Sequence, residues 1–177
     1  MDIVITKIRP SHSGEEVELH IILREGVVRD EEVFLIAPQF YEQFHLPLWT
    51  EDQISIDKNT YERLEYGHGL TDAIRKGLNL VAFSENSGKT LYGKLLKRGV
   101  PAQHAAEAVA YLKDHGFINE DRQAQMLAED LATKRLYGPR RIRQELYAKG
   151  YSNDLISVIN SSSGTVVEAI ATMSIRL

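Results

Sequence analysis

Gly88, Lys89 and Thr90 are the first residues whose types raise a question of chemistry, because Gly-Lys-Thr is the tail of a phosphate-binding loop. Such a loop reads G-x-x-x-x-G-K-[ST]: two glycines let the backbone curl until its N–H groups face the phosphates. Phe83 stands where the first glycine is required, so the nest is not expected, and a helix start explains the tripeptide as well. The six histidines (His12, His20, His45, His68, His104 and His115) are scattered, and none forms the His-Glu-x-x-His pattern of a zinc hydrolase. His104 and Glu107 share a helix face without a third ligand and read as a surface pair. Of the adjacent carboxylates, Glu120-Asp121 fit the first turn of a helix capped by Asn119, where negative charge is favoured. Glu129-Asp130 fit a solvated face, with Lys134 at helical spacing from Asp130. Ser161, Ser162 and Ser163 have no neighbouring base motif and read as a linker. The expectation is a protein without catalytic machinery, metal or cofactor.

The sharpest chemical feature is the basic stretch "GPRRIRQELYAKG". If Ile142 and Leu146 point inward, Arg140, Arg141, Arg143 and Lys149 must mostly project to solvent. Lys134 and Arg135 lie just upstream, and Lys89, Lys94, Lys97 and Arg98 stand in a related segment. Arginine suits phosphate and carboxylate because its planar fork donates two parallel hydrogen bonds. Tyr137, Tyr147 and Tyr151 lie nearby, suited to stacking on bases or to packing between helices. The plainer alternative is a solvated face that keeps a small domain soluble.

The elements that must carry these residues change character along the chain. Val17, Leu19, Ile21 and Leu23 alternate with Glu18, His20 and Ile22, the period of a strand with one buried face. Ile3, Ile5 and Ile8 suggest a strand before it, "EVFLIA" one after it, and Glu25-Gly26 the turn between. Pro38 should start a short helix through "QFYEQF" that Pro47 ends. Beyond Asp57 the pattern is helical. "TDAIRKGLNLVAF" is read as a helix with Thr71 as N-cap, and the earlier turn "NTYERLEY" either belongs to the same helix or is set apart from it by Gly67 and Gly69.

Two later segments superpose at an offset of 51 positions: Ser87 falls on Gly138, Leu91 on Ile142, Leu95 on Leu146, Arg98 on Lys149 and Gly99 on Gly150. In each, a cap residue starts a helix, apolar residues four apart face inward, a basic residue sits in the last turn and a glycine closes it. Pro101 and Ser152 then open the next helix of their copies. Gly-Lys-Thr is thus a helix first turn. The chain is expected to be mainly α: tandem three-helix repeats with a small N-terminal antiparallel β-sheet domain. The expected divisions are 1–57 for the β-rich domain, 58–118 and 119–160 for two repeats, and 161–177 for the start of a third.

"GFINEDRQAQMLAEDLATKRLYGPRRIRQELYAKGYSNDLI" resembles the RecX family, regulators of the bacterial recombinase RecA. Glu120, Ala124, Gly138, Arg141, Ile142, Glu145, Leu146, Lys149 and Gly150 carry the likeness, and Ser87, Leu91, Leu95 and Gly99 look like the family's leading repeat. The strand-rich start with "ITKI" looks like the longer Gram-positive members. The chain departs from the family's pattern at Glu120 and Gln123, where an aspartate and an aromatic are usual, and at Thr90, where a glutamate is common. The resemblance implies three complete repeats and a protein that binds the RecA filament groove and restrains recombination and co-protease activity. Arg140, Arg141, Arg143, Lys149, Lys134, Arg135, Lys94, Lys97 and Arg98 would then contact acidic RecA surfaces or the DNA phosphate backbone. An autonomous DNA-binding helical-repeat protein is the alternative; sequence-specific reading is disfavoured, because "PAQHAAEAVAYL" and "SNDLISVIN" suit packing better than base contact.

Composition agrees with that division of labour. Net charge is −4, yet Met1 to Asp57 holds 4 basic and 12 acidic residues (−8) while Gly88 to Gly150 holds 12 basic and 7 acidic (+5). An acidic head avoids nucleic acid, whereas the basic half suits phosphates or an acidic protein. Hydrophobic residues make up 43%, no apolar run nears bilayer length, and cysteine is absent. With no leader pattern in "MDIVITKIRP", a cytoplasmic protein without membrane or small-molecule partners is expected.

Overall fold

Alternating apolar residues build an antiparallel sheet from β1 (Asp2–Pro10), β2 (Val17–Glu25), β3 (Val28–Ile36) and β4 (Ile54–Ile56), in the order β3-β2-β1-β4. The computed structural model describes residues 2–159. Three strands were legible; β4, only three residues long, pairs Ile54 and Ile56 with Ile5 and Ile3. The uneven spacing Ile3, Ile5, Ile8 is resolved by a bulge between Ile5 and Lys7, which returns Ile8 to the buried face. Gly26, at φ 61°, makes the tight β2–β3 turn that a residue with a Cβ would strain. After β3 come α1 (Pro38–Tyr41) and a 3-10 turn, Glu42–Phe44. Tyr41 is buried there and its hydroxyl donates to the Pro47 carbonyl at 2.8 Å. Burial pushes its phenol up to about 12.

Helix α2 (Lys58–Phe83) runs unbroken through Gly67 and Gly69, so "NTYERLEY" belongs to the same helix. Its true start is marked by Asp57, whose carboxylate accepts from the Thr60 N–H at 2.6 Å. Thr71 is a mid-helix residue, not an N-cap: its Oγ1 donates to the Gly67 carbonyl at 2.8 Å and accepts from the Ala37 N–H at 3.0 Å. Gly67 lies where a Cβ would sit 3.4 Å from Ile36 Cγ2, and His68 Nδ1 lies 3.0 Å from the Leu35 nitrogen. Packing on β3 thus outweighs the cost of glycine in the helix. Leu64 joins Ile3, Ile5, Ile8, Leu19, Ile21, Phe34 and Ile36 in one buried cluster. Burying each large aliphatic or aromatic side chain contributes about 1.5–3 kcal/mol. The chain divides into two compact units, the first ending at Arg75 and the second beginning at Lys76.

The second unit is helical: α3 (Gly88–Lys97), α4 (Ala102–Asp114), α5 (Glu120–Thr133), α6 (Pro139–Ala148) and a helix α7 described over 153–159. The 51-residue offset holds in cap geometry and in burial. Gly99 (φ 77°) and Gly150 (φ 88°) end α3 and α6 in the left-handed region. The following N–H groups, of Val100 and Tyr151, return to the Leu95 and Leu146 carbonyls at 3.1 and 3.3 Å. Buried Leu91, Leu95, Ala105 and Ala108 correspond to buried Ile142, Leu146, Ile156 and Ile159. The period extends further than the sequence reading took it, since Ala73, Gly77 and Leu80 of α2 stand 51 positions before Ala124, Ala128 and Leu131 of α5, all buried. The end of α2 therefore occupies the place of a first repeat helix. Ser152 caps α7, accepting from the Leu155 N–H at 3.2 Å. The expected start of a third copy at 161–177 lies outside the described residues.

Candidate functional site

The Gly-Lys-Thr tripeptide is a helix start, and the anion it holds belongs to the chain itself. Ser87 is the N-cap of α3, its Oγ accepting from the Thr90 N–H at 3.3 Å. The Gly88 N–H donates to Glu120 Oε1 at 2.6 Å, and Glu120 Oε2 pairs with Lys113 Nζ at 2.9 Å. Asn119 caps α5 as expected, accepting from the Arg122 N–H at 2.9 Å. Its neighbour Glu120 does more than favour its own helix: it closes the end of α4 and the start of α3 onto α5. On the other side of the same turn, Ser87 Oγ and Thr90 Oγ1 donate to the Lys149 carbonyl at 2.6 and 3.1 Å, terminating α6. A Cβ on Gly150 would lie 3.0 Å from Lys89 Cβ, so that glycine serves both its own conformation and this close approach. Ser87, Gly88 and Thr90 thus join the two repeats.

The same junction brings the basic residues of α3 and α6 together. Lys89 Nζ lies 5.9 Å from the centre of the Tyr147 ring, and Tyr147 is 60% exposed. Arg140, Arg143 and Tyr147 recur at helical spacing on the outward face of α6, opposite buried Ile142 and Leu146. Arg141 is also exposed but is engaged, pairing with Glu145 at 2.8 Å and lying 5.6 Å over the Tyr137 ring. Lys149 is exposed at the end of α6, and Lys97 and Arg98 are exposed at the end of α3. Lys134, exposed after α5, pairs with Asp130 at 2.9 Å, as its spacing foretold. Arg135, exposed beside it, has no ion-pair partner among the described residues. Lys94 departs from the expected outward set: it is half-buried, with its ammonium bonded to Asn86 Oδ1. It corresponds to Glu145 rather than to an α6 arginine.

The three tyrosines separate by role. Tyr151 is buried in the α5–α7 core, and burial, with Glu85 and Glu120 nearby, raises its phenol above the ordinary value. Tyr137 packs against the same core, which leaves Tyr147 as the exposed ring. Among the described residues no cluster of three histidines or carboxylates is arranged to hold a metal. No helix among them is long and apolar enough to cross a membrane. Sequence reasoning missed Glu120 and Lys113 as joint residues and the Lys89–Tyr147 contact; the 51-residue offset, carried to Lys89 and Arg140, was the available signal for a shared face.

Residues 119–157 match the family model of RecX, second three-helix domain. A protein named regulatory protein RecX from Xanthomonas axonopodis pv. citri (strain 306) is 36% identical over 84 residues, 48% of this chain and 51% of that protein. Another of that name, from Vibrio cholerae serotype O1 (strain M66-2), is 32% identical over 80 residues, 45% of this chain and 52% of its own length. The chain spans about half the length of the curated relatives it matches. A crystal structure of regulatory protein RecX shares the fold, with a TM-score of 0.70 at 18% identity over 90% of this chain and 73% of that chain. The matched second domain and the identities around it make this chain similar to regulatory protein RecX, and it shares the fold of the RecX crystal structure.

Proposed function

We propose that this chain is a non-enzymatic regulator that binds the RecA–DNA filament in the cytoplasm and restrains RecA activity in homologous recombination and DNA repair. The observation that supports it best is the outward face of α6. Arg140 and Arg143 project from a helix whose opposite side is buried, and the joint at Ser87–Thr90 sets Lys89 of the preceding repeat beside Tyr147. Stacked helical repeats present an extended surface, which suits a partner that is itself extended. Regulation by such a surface needs no bond made or broken: occupancy across neighbouring RecA subunits alters filament stability and competes with other ligands.

A second reading, autonomous binding to DNA, is favoured by the exposed Tyr147 ring with a lysine over it, a pairing that suits a base stacked near phosphate. Co-sedimentation with preassembled RecA filaments on single-stranded DNA, beside RecA-free DNA, separates the two. The regulator should sediment with filaments and not with bare DNA, and the Arg140→Glu/Arg141→Glu/Arg143→Glu variant should lose that binding while keeping its helical circular dichroism. Equal sedimentation with bare DNA, falling steeply with salt, would favour the DNA-binding reading. Full binding by the triple variant would remove α6 from the interface.

A further inference from the structure

Leu136, between α5 and α6, takes a φ of 54° and is 81% exposed. Both facts run against a leucine. The left-handed region crowds a Cβ and costs conformational energy that glycine avoids, and an exposed leucine recovers none of it by burial. Among the described residues the other non-glycine residue with positive φ is His45, a residue type enriched in that region, whose ring also bonds the Gln43 carbonyl at 3.1 Å. The repeat architecture does not impose the conformation either. In the corresponding α2–α3 link, Glu85 stands 51 positions before Leu136 without a positive φ. The two links satisfy equivalent carbonyls differently. Leu131 accepts from the Tyr137 backbone N–H at 2.9 Å, whereas Leu80 accepts from the Asn86 side chain at 3.2 Å.

We infer that Leu136 is an apolar anchor for a protein partner, entering a hydrophobic pocket bordered by carboxylates. The inference rests on the regulator reading above and adds a contact to it. Backbone strain kept at a residue that contributes nothing to the core points outward, to something the chain meets. Leucine gains little from phosphate, so a protein surface is the occupant that rewards it. The charge around it is complementary to acid: Lys134 and Arg135 precede it, Arg140 follows within four positions, and all three are exposed. The ammonium of Lys134 already holds Asp130, which leaves Arg135 and Arg140 to meet the pocket's rim. Burying the leucine in such a pocket supplies the apolar contact, and the flanking arginines supply charge complementarity to its acidic rim.

The test uses the full chain and RecA filaments on single-stranded DNA, with Leu136→Gly, Leu136→Asn and Leu136→Met compared with wild type. Glycine and asparagine suit the left-handed backbone and remove the anchor; methionine keeps an apolar side chain of similar volume. The expected result is filament affinity about tenfold or more weaker for Leu136→Gly and Leu136→Asn, near wild type for Leu136→Met, with thermal midpoints of Leu136→Gly unchanged or raised. Wild-type affinity in Leu136→Gly would overturn the anchor and leave the regulator reading standing. A marked fall in the thermal midpoint of Leu136→Gly would show that the leucine serves the fold, and would also overturn it. Failure of the wild-type chain to bind filaments would overturn both.

Discussion

Removing the Glu120 carboxylate should loosen the joint between the repeats without touching a basic residue. Oε1 accepts from the Gly88 N–H at 2.6 Å and Oε2 pairs with Lys113 at 2.9 Å, with the Glu120 side chain 24% exposed and that of Lys113 41% exposed. A hydrogen bond from an N–H to a charged group contributes about 1.5–3 kcal/mol, and a partly exposed ion pair adds at most about 1. A carboxylate at a helix N-terminus, as at α3, contributes about 0.3–1 kcal/mol, much of it contained in the same hydrogen bond. Since these contributions overlap, Glu120→Ala should cost about 2–3 kcal/mol. Glu120→Gln, which keeps an acceptor and loses the charge, should cost about half as much. At this chain length each kcal/mol lowers the thermal midpoint by about 2–4 °C, so Glu120→Ala should melt about 4–12 °C early by far-ultraviolet circular dichroism. The surface control Glu129→Ala should stay within about 0.5 kcal/mol of wild type. A Glu120→Ala midpoint indistinguishable from that control would refute the view that this carboxylate holds α3 to α5. Filament binding supplies a second readout: if the joint aligns α3 with α6, Glu120→Ala should weaken binding at temperatures where it is still folded.

Two further perturbations probe the packing and the sheet. A Cβ on Gly77 would lie 2.6 Å from Leu112 Cδ1, and Leu112 is fully buried. Overpacking of about 1–3 kcal/mol should therefore exceed the roughly 1 kcal/mol that alanine gains over glycine in a helix. Gly77→Ala should lower the urea midpoint of the helical unit, and adding Leu112→Ala should show coupling by costing less than the sum of the two changes. In the sheet, Glu18 accepts from Arg9 Nη2 at 2.6 Å and from His20 Nε2 at 2.7 Å. The hydrogen-bonded Arg9 guanidinium holds the Glu18 carboxyl below its ordinary range, against a smaller opposing effect of burial. A depressed folded-state pKa contributes stability that is present above the unfolded value and lost as pH falls through the folded one. Glu18→Gln should thus destabilise the N-terminal unit at neutral pH, the gap to wild type closing on acidification; urea midpoints that differ by the same amount at every pH would contradict this.

What the sequence revealed and what it hid follow from the range of the interactions. Helix ends in the repeats were legible because their determinants are local: a cap such as Ser87, apolar residues four apart, and a glycine at 99 and 150 where the chain must turn left-handed. Glycines 67 and 69 left the continuity of α2 open for the complementary reason, since the sheet that makes a continuous α2 worthwhile lies more than 30 residues earlier, at Leu35 to Ala37. The short β4 gave almost no period to detect, and its pairing depends on β1, some 50 positions away. Glu120 was assigned correctly to a first helical turn, yet its bond to Gly88 spans 32 residues and links different elements, a relation that no periodic pattern encodes.

The surface shows the same limit and bears on function. Lys89 and Arg98 recur as Arg140 and Lys149, but Thr90 becomes Arg141 and Lys94 becomes Glu145. These exchanges have structural reasons: Thr90 bonds the Lys149 carbonyl and Lys94 bonds Asn86, so both side chains are engaged within the chain. In α6, by contrast, Arg141 and Glu145 satisfy each other, while Arg140 and Arg143 project from the outward face. The basic character of α6 is therefore not a by-product of the repeat, because the repeat's own structural needs are met by other residues. A charge change confined to Arg140 and Arg143 should consequently leave the fold intact and act on binding, whereas the same change at Lys94 should act on the fold first.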